Sequence, residues 1–204
     1  MLRVGRHELV FPDGPIHAAA QLPGASRALP NACTSMFSWW GDDLDVALAL
    51  ESVARTVRAV GGCDAVLGFS QGGALAAYVC RATTPPLVGG WRPRAAVLLN
   101  AYAVAAKQDA GAPPPAYAPH VASLHAWGRL DQVVRPALSE KLCADMRGGA
   151  SPLETGGHAV PPPPFGDNVL VPWLHANVGS GAVVAAAAEV SGPVGAESRV
   201  ARYL

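Results

Sequence analysis

Asp64-Ala-Val-Leu-Gly-Phe-Ser-Gln-Gly-Gly-Ala-Leu-Ala-Ala-Tyr-Val-Cys80 is the stretch that decides the fold. A short apolar run comes first, then Gly68-Phe69-Ser70-Gln71-Gly72, then an alanine-rich amphipathic run. The expected order is strand, tight turn and helix, with Ser70 at the apex. A serine at such a turn sits on a strained backbone, and its neighbours two positions either side must be small to clear the strand and helix. Gly68 and Gly72 meet that need. The helix that follows aims its first N–H groups at the apex, where they favour developing negative charge. The plainer alternative is a glycine-rich turn whose serine only caps the helix. The flanking strand and helix favour a nucleophile.

Composition limits what such a nucleophile could serve. The chain has 204 residues, 50% of them hydrophobic, enough for one domain with a sizeable core. Fifteen basic and fifteen acidic side chains cancel, and no basic stripe points to nucleic acid. Cys33, Cys63, Cys80 and Cys143 show no C-x-x-C spacing and no histidine cluster, so neither zinc nor any other metal is expected. Free thiols in a reducing compartment are the simplest reading. Arg3, Arg6 and His7 interrupt the start before a signal-peptide core forms. The apolar run from Gly181 to Ala188 is too short to span a bilayer. These features fit a soluble protein of the cytoplasm, with the nucleus as a second compartment; they leave the oligomeric state open.

Outward from Ser70, the remaining elements alternate. His7 to Asp13 reads as a short buried strand, ended by Gly14-Pro15, and residues 18–36 as loop. Phe37-Ser-Trp-Trp40 is an apolar cluster before a helix; Trp39 and Trp40 either pack the core or wall a substrate pocket, with Phe69 a further wall candidate. Asp42 to Val60 reads as a helix with Val46, Leu50, Val53, Val57 and Val60 on one face, stopped by Gly61-Gly62. Arg94 to Asn100 and Val121 to Trp127 are buried strands, separated by a proline-rich surface excursion over 103–119. Pro136 opens a helix to about Met146, Ser151 to Thr155 is one more strand, and Phe165 to Val178 is a last helix kinked or started by Pro172. The first 178 residues form the domain; residues 179–204 are an Ala/Gly-rich, weakly structured tail with a short helix at 182–190. Alternating strands and helices predict an α/β fold: a mainly parallel sheet between two helical layers.

In such a sheet, functional residues gather at the C-terminal ends of strands. Ser70, Asp131 and His158 stand there in that chain order. A serine hydroxyl is a poor nucleophile until an imidazole takes its proton, and the imidazole needs a carboxylate to fix its tautomer. Asp131 follows a strand and a glycine, and His158 follows Gly156-Gly157, which let the chain turn inward. Asp64, Asp109 and Asp145 fall before a strand, in a loop and within a helix; His125 is mid-strand and His175 on the last helix. Ser, then acid, then His, with G-x-S-x-G at the serine, is the α/β-hydrolase pattern.

Gly68-Phe-Ser-Gln-Gly-Gly73, Gly128-x-x-Asp131 and Gly156-Gly-His-x-Val-Pro161 together resemble the FSH-type serine hydrolases, the group that includes the ovarian-cancer-associated esterases. Glu8 to Asp13 and Ser38-Trp-Trp40 match that family's layout too, so the resemblance runs from about residue 5 to about 178. Phe-Ser-Gln-Gly-Gly is shared with acyl-protein thioesterases and does not choose between them. The resemblance implies a Ser70–His158–Asp131 triad acting without a cofactor on small carboxylic esters or thioesters, including those with medium or long acyl chains. The Gln71 N–H would be one oxyanion donor.

One departure stands out. Family members open with a strand, a Leu-His-Gly-type loop and a helix before the strand seen here at 8–12. Met1 falls near the end of that helix, so the first strand of the fold is expected to be missing, with the loop that supplies the second oxyanion donor. Either the sequence is incomplete or another segment fills the gap. Losing one donor costs about 10²–10³ in turnover, which sets up the alternative: a catalytically weak hydrolase fold that binds a ligand or partner.

Overall fold

The computed structural model describes residues 2–4, 7–10, 12, 14–17, 37–85, 87–111, 115–180 and 183–187. The loop expected at 18–36, Cys33, most of the proline run at 113–115 and the tail beyond 187 lie outside them. In chain order the strands are β1 (Leu2–Val4), β2 (His7–Val10), β3 (Ile16–His17), β4 (Phe37–Ser38), β5 (Ala65–Phe69), β6 (Ala95–Leu99), β7 (Ala122–Gly128), β8 (Gly149–Leu153) and β9 (Val183–Ala187). The helices are α1 (Ala47–Ala59), α2 (Gln71–Val79), α3 (Pro136–Met146) and α4 (Val171–Val178). A π-type turn, Gly166–Leu170, leads into α4, where Pro172 sits in the first turn.

Seven strands form one sheet in the order β1-β2-β9-β5-β6-β7-β8. All neighbours run parallel except β1, which pairs antiparallel with β2 at the edge. Period-two alternation sorts the side chains of β5 and β6 between two cores. Val66, Ala96 and Leu98 face the layer that holds Val53, Val57, Leu75 and Leu142 from α1, α2 and α3. Ala65, Leu67, Val97 and Leu99 face Leu170, Leu174 and Val178 from the π-turn and α4. This is the three-layer arrangement expected from the sequence.

Three differences from expectation bear on the fold. Helix α1 starts at Ala47 rather than Asp42, because Leu44 takes a positive φ of 54° and breaks the helical path. The carboxylate that accepts from the new helix start is that of Asp45, bonded by the Ala47 N–H at 3.0 Å. Strand β8 begins two residues early, since Arg147 turns left-handed at φ 55° and ends α3 at once. Pro152 is tolerated in it because β8 is the sheet edge.

The third difference is the largest. The short helix expected at 182–190 is instead strand β9 at 183–187, so these five residues of the expected tail belong to the sheet. Parallel bridges pair Glu8, Leu9 and Val10 with Val183, Val184 and Ala185, and Ala65 to Gly68 with Val184 to Ala187. β9 therefore lies inside the sheet, between β2 and β5.

Candidate active site

Ser70 closes β5 with φ 53° and ψ −119°, a left-handed value that a non-glycine residue rarely adopts. The turn is possible only because Gly68 has no side chain: a Cβ there would stand 2.2 Å from the Gly72 carbonyl oxygen. The next turn depends on Gly73, whose Cβ would reach 2.7 Å from that of Ala101. The Ser70 N–H is held by the Leu99 carbonyl at 2.9 Å, and the Ser70 carbonyl accepts from Ala74 at 3.0 Å, starting α2. The hydroxyl is thereby fixed at the end of the sheet.

The loops after β7 and β8 bring the other two residues to it. His158 Nε2 lies 3.0 Å from Ser70 Oγ, and His158 Nδ1 lies 2.7 Å from Asp131 Oδ2. The second Asp131 oxygen, Oδ1, accepts from the backbone N–H groups of Val133 at 2.8 Å and Val134 at 2.9 Å. One oxygen is therefore pinned to the backbone and the other is left for the imidazole. The Asp131 side chain is 1% exposed and that of His158 19%, so the carboxylate is dry while the imidazole keeps one edge open. Gly128 lets the two loops meet, since a Cβ on it would stand 2.1 Å from the Gly156 carbonyl oxygen. Phe69 packs beside the imidazole with ring centroids 4.9 Å apart.

Gln71 is the first residue of α2, so its N–H has no intrahelical acceptor and stands at the positive end of the helix dipole. Its side chain is used elsewhere. Oε1 accepts from the Trp39 N–H at 2.8 Å and lies 2.9 Å from Ser38 Oγ, while Nε2 donates to the Trp40 carbonyl at 3.2 Å. Trp39 and Trp40 are both buried, in the same core as Val46, Ala49 and Leu75. Core packing, one of the two readings open for this pair, is what the burial supports.

Sequence reasoning missed Asn100, the buried residue that follows β6. Its Oδ1 accepts from the Gly128 N–H at 2.9 Å and its Nδ2 donates to the Ala159 carbonyl at 2.9 Å. The available signal was a polar residue at the C-terminal end of an otherwise apolar strand.

Other reactive groups are muted. Burial pushes the Cys63 thiol up to about 11 and the Cys80 thiol up to about 12, so neither rivals Ser70 as a nucleophile. Among the described residues no three His, Cys, Asp or Glu side chains converge as a metal site requires, and no helix is long and apolar enough to cross a membrane. A cavity of about 510 Å³ lies apart from Ser70, bordered by Tyr78, Arg81, Thr84 and Asp109. Its cation is already engaged, by the Asp109 carboxylate and the Val104 carbonyl.

A serine at positive φ between a parallel strand and a helix, met by a histidine and an aspartate from later strand ends, defines an α/β-hydrolase. Maize acyl-protein thioesterase 2 shares the fold, with a TM-score of 0.51 at 19% identity over 87% of this chain and 95% of that one. The Atu2452 protein of Agrobacterium tumefaciens, of unknown function, aligns equally well, over 86% of this chain and 93% of its own. The sequence narrows the class further. The profile described as Serine hydrolase (FSH1) matches residues 1–163, and the chain belongs to that family. Esterase OVCA2 of Mus musculus is 32% identical over 182 residues, 77% of each chain. The Homo sapiens Esterase OVCA2 is 31% identical over 185 residues, with the same shares covered.

Proposed function

We propose that this chain hydrolyses carboxylic esters or thioesters through an acyl-enzyme on Ser70. The reading rests on the unbroken line from Asp131 Oδ2 through both imidazole nitrogens to Ser70 Oγ. Ser70 Oγ attacks the substrate carbonyl as His158 Nε2 takes its proton, and Asp131 stabilises the imidazolium that forms. The tetrahedral oxyanion accepts from the Gln71 N–H. Collapse breaks the bond to the alcohol or thiol, which leaves with the proton from His158. Water then loses a proton to His158 as it attacks the acyl carbonyl; the acid departs and the proton returns to Ser70.

The test is labelling by a fluorophosphonate probe, which reacts with a serine activated by its base. Wild-type protein is expected to label, and Ser70→Ala and His158→Ala are expected not to. A folded wild-type chain that stays unlabelled contradicts the reading. If labelling holds, rates on p-nitrophenyl esters of increasing acyl length, set beside a long-chain acyl thioester, give the substrate preference.

A further inference from the structure

We infer that Asn100 is a positioning residue that ties the Asp131 loop and the His158 loop to the strand that also holds Ser70. The peptide at the end of β6 touches all three segments. The Leu99 carbonyl accepts from the Ser70 N–H, Asn100 Oδ1 accepts from Gly128 at the root of the Asp131 loop, and Asn100 Nδ2 donates to the carbonyl of Ala159, next to His158. Asn100 is 1% exposed, and its bond to the Gly128 N–H is buried. Both partners are main-chain groups of fixed polarity, one donor and one acceptor, so only a side chain carrying both an acceptor and a donor satisfies them together.

The backbone agrees with the same choice. Asn100 sits at φ 45°, a left-handed conformation that asparagine tolerates better than most residues. Its own N–H is bonded to the Ala126 carbonyl at 2.8 Å, which fixes the side chain's origin against β7. Asp131 and His158 stand on separate loops, and their mutual position sets how the imidazole is aimed at Ser70 for proton transfer. Misplacing such groups by about 1 Å costs about 10²-fold in rate. Asn100 bonds to both loops and, through its own N–H, to β7.

The inference rests on the triad reading for its effect on turnover, so the test carries a readout that does not need turnover. Asn100→Gly keeps the left-handed backbone at no strain and removes only the amide. Asn100→Asp keeps shape and the acceptor for Gly128 but loses the donor to Ala159. Each is compared with wild type and Ser70→Ala by thermal melting, by kcat and KM on a p-nitrophenyl ester, and by the far-downfield proton resonance of the His158 Nδ1–H bonded to Asp131. Asn100→Gly is expected to lower kcat about 10- to 100-fold with KM changed less than about twofold. The downfield resonance is expected to broaden or vanish in both variants and to persist in Ser70→Ala. Should Asn100→Gly not fold, Asn100→Asp carries the same two readouts. A folded variant that keeps the resonance and keeps kcat within about twofold overturns the inference, even if its melting temperature falls. A wild-type chain that turns over no ester would instead sink the triad reading, and the resonance would still judge Asn100.

Discussion

Gly68 has no room for a methyl group, because the three nearest atoms to a Cβ there all belong to the backbone of Gly72 and Gly73. No rotamer change can relieve that clash. Gly68→Ala is therefore expected to open the elbow, costing about 3 kcal/mol of stability and abolishing fluorophosphonate labelling; an unaltered urea midpoint would contradict this. Asp131→Asn is a subtler change. Its oxygen can keep the Val133 and Val134 N–H bonds, which turns the amide NH₂ toward His158 Nδ1 and forces the wrong tautomer. The expected result is a fold that melts as before, with kcat down about 10⁴-fold. Ser70, Asp131 and His158 were legible in the sequence because chemistry, chain order and strand-end position coincide there. Trp39 and Asn100 were not. Whether an aromatic on a loop lines a pocket or fills a core depends on what packs against it, and the Gln71 clamp on Trp39 and Trp40 joins residues more than thirty positions apart. Trp39→Ala should lower stability by about 3–5 kcal/mol, and an effect on KM alone would restore the pocket-wall role.

Among the elements, the helices with one apolar face and the strands flanked by turn residues were readable, and α3 matches its expected limits. The start of α1 was not, since Asp42 and Asp43 look like first-turn carboxylates and nothing in the sequence announces the left-handed turn at Leu44. Strand β9 was hidden for a different reason. A strand in the middle of a sheet covered on both faces need not alternate, and an alanine-rich run has weak strand propensity. Its assignment comes from position: it completes the ladder between β2 and β5, and Val184 is fully buried against the α4 side of the sheet. Deleting residues 183–204 would leave two unpaired strand edges inside the molecule. The expected outcome is insoluble or non-cooperatively melting protein, and Val184→Asp, an unpaired buried charge, should produce the same loss in the full chain. A truncated chain that melts at the wild-type temperature would remove β9 from the fold.

For the whole molecule, a buried histidine in the sheet makes stability depend on pH. His125, in the middle of β7, is buried with Ser123 Oγ 3.1 Å from its Nε2, and burial pushes its pKa down from 6.5 to about 4. The unfolded chain then binds a proton that the folded chain refuses between those values. Stability from this group is complete above about 6.5 and is lost as pH falls toward 4, by up to about 3 kcal/mol. Urea midpoints measured from pH 7 to pH 4 should fall, and His125→Gln should flatten that slope; an equal slope in both proteins would contradict the assignment. Whether Ser70 carries the acyl group is decided by pre-steady-state hydrolysis of a p-nitrophenyl ester, with intact-mass analysis of the quenched protein. An acyl group is expected on Ser70 during turnover, found by peptide mapping and absent in Ser70→Ala, with a burst of nitrophenol wherever deacylation is the slower step. Turnover with no acylated protein, or with the acyl group mapped to another residue, would contradict it.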